Sequence, residues 1–256
     1  MLVTKTKQTK QTKPMKLNCD LGESFGAWKM GMDQEVIPHI DMANIACGFH
    51  AGDPDVMART LEQTGECGTE IGAHPSYPDR AGFGRRVMDV DHQSLVNLLH
   101  YQLAALDGMA KLHNQQLSYV KPHGALFNQM MKQKAIRATV MHAVASFHRP
   151  LKLMLLASLD ATTHLQEAQG YGIALLFEAF ADRRYTDDGQ LQNRNTAGAV
   201  LNQQQILTQV EQLVSQGQVT TASGKLLDIQ ADTLCVHGDN NEAVQLIKQI
   251  KKLCQS

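Results

Sequence analysis

The sequence predicts an α/β fold, with a mainly parallel sheet closed into a barrel. Seven short apolar runs are spread over the 256 residues, at 16–19, 40–47, 70–73, 117–120, 151–156, 173–177 and 233–236. Most are separated by stretches with the apolar spacing of helices, which is the pattern of right-handed βα units around a parallel sheet. Six polar side chains, Asp20, His50, His74, His123, Glu178 and His237, each follow a different run. An open sheet would gather only those near its switch point, whereas a barrel brings the C-terminal end of every strand to one rim.

Residues 1–14 carry Lys5, Lys7, Lys10 and Lys13 with little to bury, and are expected to form a disordered basic tail. Residues 15–256 are expected to form a single (β/α) barrel domain. The first run leads into Asp20-Leu21-Gly22-Glu23, which places two carboxylates just past its end. The second ends at Gly48, and the chain presents His50 and Asp53 before a helix predicted over 54–67. An imidazole and a carboxylate at a strand-to-helix junction can hold a metal, move a proton or orient a substrate. Asp53 ahead of Pro54 is equally the N-cap of a helix with proline in its first turn.

The third run leads into His74. Residues 80–86 form a glycine-containing loop whose Arg85 and Arg86 can clamp an oxyanion. A long amphipathic helix is predicted over 91–114, with Leu95, Leu98, Leu99, Gln102, Leu106 and Met109 on one face, and the next run ends in Lys121-Pro122-His123. A helical stretch over 125–147, a strand, a helix over 160–169 and another strand lead to Glu178 and a polar loop at 181–189. A helix over 202–216 precedes a small hairpin or irregular excursion at 222–229. The last run ends in His237-Gly238-Asp239 before a helix over 240–253, with Asp239 and Glu242 spaced almost as a capping box.

Composition narrows the function. With 43% hydrophobic and 19% charged residues and a net charge of −1, nothing draws the chain toward nucleic acid or an acidic membrane surface, so small molecules and proteins are the expected partners. No run is long enough to span a membrane. Five cysteines without a C-x-x-C pair argue against a disulfide framework or thiolate zinc site and point to a reducing cytoplasmic setting. Cys19, Cys47 and Cys235 read as small core residues, and Gly224-Lys225-Leu226 lacks the residues of a phosphate-binding Walker loop.

Several blocks carry a family resemblance: residues 18–26, 44–54, 72–79 with 82–86, 120–125, 180–189 and 235–239. In this order and over nearly the whole chain they resemble the signature blocks of the LamB/YcsF family; Phe127 stands where tyrosine is common. The resemblance implies a distorted seven-stranded (β/α) barrel similar to glycoside hydrolases and sugar deacetylases. It also implies ATP-dependent hydrolysis of 5-oxoproline to L-glutamate, with ATP as co-substrate, in a complex with two further 5-oxoprolinase subunits, B and C. A reasonable route phosphorylates the lactam oxygen, after which water adds to the activated carbon and phosphate leaves.

That chemistry needs a clamp for phosphoryl oxygens, a base for water and an acid for the departing nitrogen. Asp20, Glu23, His74, Lys121 and His123 are the candidate catalytic residues. Asn44, Arg85, Arg86, Asp182, Arg183, His237 and Asp239 are the candidates for holding substrate or phosphate. By analogy with metal-dependent deacetylase barrels, Asp20, His50 and His74, with His123 as a further ligand, could bind a divalent metal. Two alternatives are a stand-alone metal-dependent amidohydrolase or deacetylase, and a non-catalytic subunit that binds 5-oxoproline and delivers it to its partners.

Overall fold

A computed structural model describes residues 14–238 and 240–255. Residues 1–13 of the expected tail, and Asp239, lie outside the described residues. In chain order the elements are β1 (Lys16–Leu21), α1 (Asp33–Val36) with a 3-10 turn (Ile37–His39), β2 (Met42–Ala46), α2 (Pro54–Cys67), β3 (Glu70–His74), α3 (His92–Leu112), β4 (Leu117–Val120), α4 (Gly124–Lys132) and α5 (Lys134–Ala145). There follow β5 (Lys152–Leu156), α6 (Ala161–Tyr171), β6 (Leu175–Phe180), α7 (Gln203–Gln216), β7 (Gln218–Thr220), β8 (Leu226–Asp228), β9 (Thr233–Cys235), α8 (Asn241–Gln245) and α9 (Ile247–Gln255).

Seven parallel strands close into a barrel in the order β1-β2-β3-β4-β5-β6-β9, while β7 and β8 form a separate antiparallel pair. Strand alternation sorts the side chains into two sets. Ala43, Ile45, Ala73 and Val120 belong to the large core that packs under the helices. Met42, Tyr119 and Met154, joined by Leu176, form a separate small apolar cluster from four strands. Asn18, Asp20, Asn44 and Lys121 share the periodicity of that second set and rise from it toward the C-terminal rim. Gly72 makes room for it: a Cβ there would lie 2.2 Å from the Tyr119 ring.

The helix boundaries have local causes. Asp53 caps α2 by accepting from Val56 N at 2.8 Å, and its other oxygen accepts from Gly26 N at 2.7 Å, so the capping reading of this residue holds. Asn202 and Gln205 make a reciprocal capping box on α7. The expected helix over 125–147 is broken at Gln133, whose backbone is extended. The closing helix is likewise two helices, and Asn240 caps the first by accepting from Glu242 N and Ala243 N. β1, β3 and β6 end later than their apolar runs indicate. β1 includes Asp20 and β6 continues through Glu178 to Phe180, because a charged side chain can stay in a strand when it faces a partner inside the barrel.

Candidate active site at the C-terminal rim

The strand ends surround a cleft of about 420 Å³. Five cationic side chains line it, Arg85, Lys121, Lys132, Arg183 and Arg194, against two carboxylates, Asp20 and Glu23. That excess of positive charge suits an anionic ligand.

Lys121 forms the floor. Its Nζ lies 2.8 Å from Asp20 Oδ1, 3.0 Å from Glu178 Oε2 and 3.2 Å from Cys235 Sγ, with the Phe180 ring 5.4 Å away. Burial pushes its pKa down, but Asp20, Cys235 and Glu178 more than offset this and hold it well above the usual lysine value, so it is an ammonium. Burial pushes Asp20 up, yet His74 and Lys121 hold it well below the carboxylate range. Glu178 is wholly buried. Its Oε2 faces the Lys121 ammonium, its Oε1 has no hydrogen-bond partner among the described residues, and burial raises its pKa against the pull of Lys121. Asn44 steadies the layer by donating to Asp20 Oδ1 and Asn18 Oδ1, both at 2.8 Å, and the Tyr119 hydroxyl donates to Asn44 Oδ1 at 2.7 Å.

One wall is built from imidazoles. His74 closes β3, His123 precedes α4, and His50 sits in the turn after β2; all three are buried. The His74 and His123 rings meet edge to face, with Nε2 of the first 2.9 Å from Nδ1 of the second. His50 stacks parallel on His123 with ring centres 3.8 Å apart, and its Nε2 is 3.1 Å from Glu23 Oε1. Burial, reinforced by neighbouring imidazoles, holds His50 and His123 well below the usual histidine pKa, so both rings are neutral. The 79–86 loop supports this wall. Asp79 accepts from Gly82 N, Arg86 N and the Arg86 guanidinium, and the Arg86 interaction holds its pKa at about 2. Gly84, at φ +64°, passes so close that a Cβ would lie 2.8 Å from both His123 Cδ2 and His50 Cβ.

The opposite wall follows β6. Asp182 is buried and accepts from His237 Nδ1 at 2.8 Å and Asn240 Nδ2 at 2.9 Å. Burial pushes its pKa up, but those two partners hold it below the usual value. Arg183 donates to Gln192 O at 2.7 Å, and its buried Nε has no hydrogen-bond partner among the described residues. Burial, with Arg194 and Arg85 acting against the pull of Asp182, lowers its pKa.

Asp20, Glu23, His74, Lys121 and His123 therefore come together, with Arg85, Arg183 and His237 around them. Asn44 and Asp182 stand behind, each fixing a side chain that faces the cleft. Arg86 is turned away: its side chain is 66% exposed and is paired with Asp79, so it shapes the loop instead of clamping a ligand. The donor atoms of Glu23, His50, His74 and His123 lie within 4.8 Å of one another, a group able to hold a metal ion. Asp20 groups instead with Cys235 and His237, where the Lys121 ammonium already supplies positive charge. Glu178 is expected at the rim but without a role, and it lies in the floor; Arg194 in the wall is not among the expected site residues. A glutamate inside the run Leu-Leu-Phe-Glu-Ala-Phe is a readable signal, while Arg194 lies in a polar loop that offers none.

A closed parallel barrel with buried charge gathered at the C-terminal ends of its strands has the architecture of a barrel enzyme. The chain belongs to the LamB/YcsF family, whose model matches residues 15–256. It is 52% identical over 238 residues to the A subunit of 5-oxoprolinase from Vibrio cholerae, covering 93% of this chain and 96% of the relative. It is 49% identical over 245 residues to the protein of the same name from Vibrio campbellii, covering 95% and 97%. Among solved structures, the lactam utilization protein of Thermus thermophilus superposes with a TM-score of 0.85 at 32% identity, covering 94% of this chain and 96% of that one.

Proposed function

We propose that this chain binds 5-oxoproline in the rim cleft and opens its lactam ring as the A component of an ATP-dependent 5-oxoprolinase, working with two further subunits. The observation that carries the reading is the Lys121 ammonium held between Asp20 and Glu178 beneath a cationic cleft. The names of the relatives agree with it. The substrate is an anion with a poorly electrophilic amide. Arg183, Arg85 and Arg194 face the cleft where its carboxylate or a phosphoryl group would lie. Lys121 is placed to stabilise negative charge developing on the lactam oxygen.

Transfer of the γ-phosphoryl group to the lactam oxygen releases ADP. Water then adds to the ring carbon, and the C–N bond breaks as the nitrogen takes up a proton, leaving γ-glutamyl phosphate. A second water hydrolyses this to glutamate and phosphate, so one ATP and two waters are consumed for each ring opened. The carboxylate of Glu23, which lines the cleft, provides a basic atom for the added water, and His74 and His123 stand beside it where a proton can be passed to the nitrogen. A divalent ion bound by the imidazole wall would supply Lewis acidity toward a ligand oxygen.

The test is to incubate the purified chain, alone and with the two partner subunits, with 5-oxoproline and ATP. The reading predicts ADP and glutamate in a one-to-one ratio from the complete set and no glutamate from the chain alone. The three-imidazole wall favours a second reading, a metal-dependent amidohydrolase. Glutamate formed by the chain alone, without ATP and abolished by a chelator, would overturn the first reading in favour of the second.

A further inference from the structure

The outer partners of two imidazoles fix their tautomers. His74 Nδ1 lies 2.7 Å from the Lys121 carbonyl oxygen and His123 Nε2 lies 2.9 Å from the Phe83 carbonyl oxygen. A carbonyl can only accept, so both outer nitrogens carry hydrogen. Their inner nitrogens, His74 Nε2 and His123 Nδ1, face each other at 2.9 Å, and His74 Nε2 also lies 3.4 Å from Asp20 Oδ2. Two ring nitrogens at that distance are bridged either by a proton, with one ring donating to the other, or by a metal ion held by both lone pairs.

Three observations favour the metal. A ligating histidine characteristically donates its other N–H to a backbone carbonyl, and both rings do so. Glu23 Oε1 stands 3.6 Å from His123 Nδ1 and adds an anionic donor on the cleft side. His74, His123 and Glu23 all line the cleft, which leaves an open position for a ligand. The rings also rank the donors. His74 and His123 are nearly perpendicular, at 84°, so their in-plane lone pairs can converge. His50 and His123 are parallel to within 5°, so theirs run side by side. The role left to His50 is to fasten the Glu23 carboxylate, with Ser76 Oγ 3.0 Å from its Nδ1.

Phe83 reinforces the arrangement. It holds a left-handed backbone at φ 53°, uncommon for a bulky residue, and that conformation presents its carbonyl to His123. Its ring lies edge-on to His50 at 5.4 Å and to His123 at 5.1 Å.

We propose that His74, His123 and Glu23 form a two-histidine, one-carboxylate centre for a first-row divalent metal ion, with His50 as the positioning residue that orients the Glu23 carboxylate. The nitrogen-rich donor set selects zinc, cobalt, iron or manganese over magnesium or calcium. This assignment differs from the Asp20, His50 and His74 set expected by fold analogy, because Asp20 Oδ1 is engaged by Lys121 and Asn44, while its Oδ2, though 3.4 Å from His74 Nε2, does not converge with the donor atoms of the other imidazoles. It does not depend on the identity of the substrate.

The experiment is calorimetric titration of the untagged, chelator-treated chain with Co²⁺, read in parallel by visible absorption. Wild type should bind one ion. His74→Gln and His123→Gln should lose affinity by at least about 100-fold, whereas His50→Gln should keep the stoichiometry and weaken binding about 10- to 100-fold. Should a variant fail to fold, the wild type alone still decides: Zn²⁺ should shift the ¹⁵N resonances of His74 Nε2 and His123 Nδ1 and spare their outer nitrogens. The proposal is overturned if wild type binds no Co²⁺, if the two glutamine variants bind normally, or if a shared imidazolium proton between His74 and His123 persists with saturating Zn²⁺.

Discussion

The two ends of the barrel use acidic side chains differently. At the N-terminal end, Asp41 accepts from Leu17 N at 2.8 Å and pairs with Lys251, and Asp232 accepts from Phe177 N at 2.9 Å. Lys16 meets Glu70 at 2.6 Å with the lysine side chain 56% exposed. Each of these carboxylates has a backbone or surface partner, so its desolvation is small and it ties down a strand. At the C-terminal end, Asp20, Glu178 and Lys121 meet one another in the barrel interior, where withdrawing charge from water is costly. The contrast teaches that the partner, not the residue type, separates a fastening from a functional group.

Substitutions at the two ends should therefore break different things. The largest effect is expected from Lys121→Met in the complete 5-oxoprolinase assay. Turnover should fall by about 10³-fold or more. Unfolding should become easier by about 3–5 kcal/mol, because Asp20 is left buried without its cation. Near-normal turnover from the folded variant would remove Lys121 from the chemistry. Glu178→Gln should be milder, since burial already draws this carboxyl toward its protonated form. It should fold normally and lower kcat about 10- to 100-fold.

Arg183→Ala and Arg194→Ala should mainly raise KM, each by about 10-fold or more, as expected for the loss of a charge-assisted contact to an anionic ligand. An unchanged KM in both would place the anion elsewhere.

Two carboxylates that each accept one N–H near a strand end sharpen the comparison further. Asp33 accepts from Gly22 N at the rim, and burial raises its pKa to about 6. The folded value exceeds the unfolded one of about 3.9, so its contribution to stability is present below pH 4 and lost as pH rises through about 6. Asp33→Asn keeps an acceptor and should raise stability at pH 7.5 by about 1 kcal/mol, allowing for partial solvation, with no gain at pH 3.5. Thermal melts at the two pH values would show it, and an equal change at both would refute the assignment. Asp41→Asn at the opposite end should cost about 1 kcal/mol and leave turnover intact; a loss of activity without a fall in melting temperature would refute its purely fastening role.

Much of this is legible in the sequence because βα alternation leaves a periodic signal, and because a rim residue sits beside the run that carries it. His74, Lys121, His123 and His237 can be read that way. Glu178 is visible too, but an apolar run ends at its first charge, which puts this residue after its strand, whereas inside a barrel that charge faces Lys121. Which oxygen belongs with which imidazole is not readable, because Glu23 and Asp20 lie three residues apart and only the turn at Gly22 sends them to different partners. Arg85 and Arg86 are equivalent in sequence. The bonds that Arg86 donates to Asp79 turn it away from the cleft and leave Arg85 lining it.

The central claim, that the lactam lies in the rim cleft above Lys121, is tested most directly by a crystal structure of the chain grown with saturating 5-oxoproline. The account predicts the lactam oxygen within hydrogen-bond reach of Lys121 Nζ and the carboxylate on Arg183 or Arg194. A lactam bound anywhere outside this cleft would contradict it.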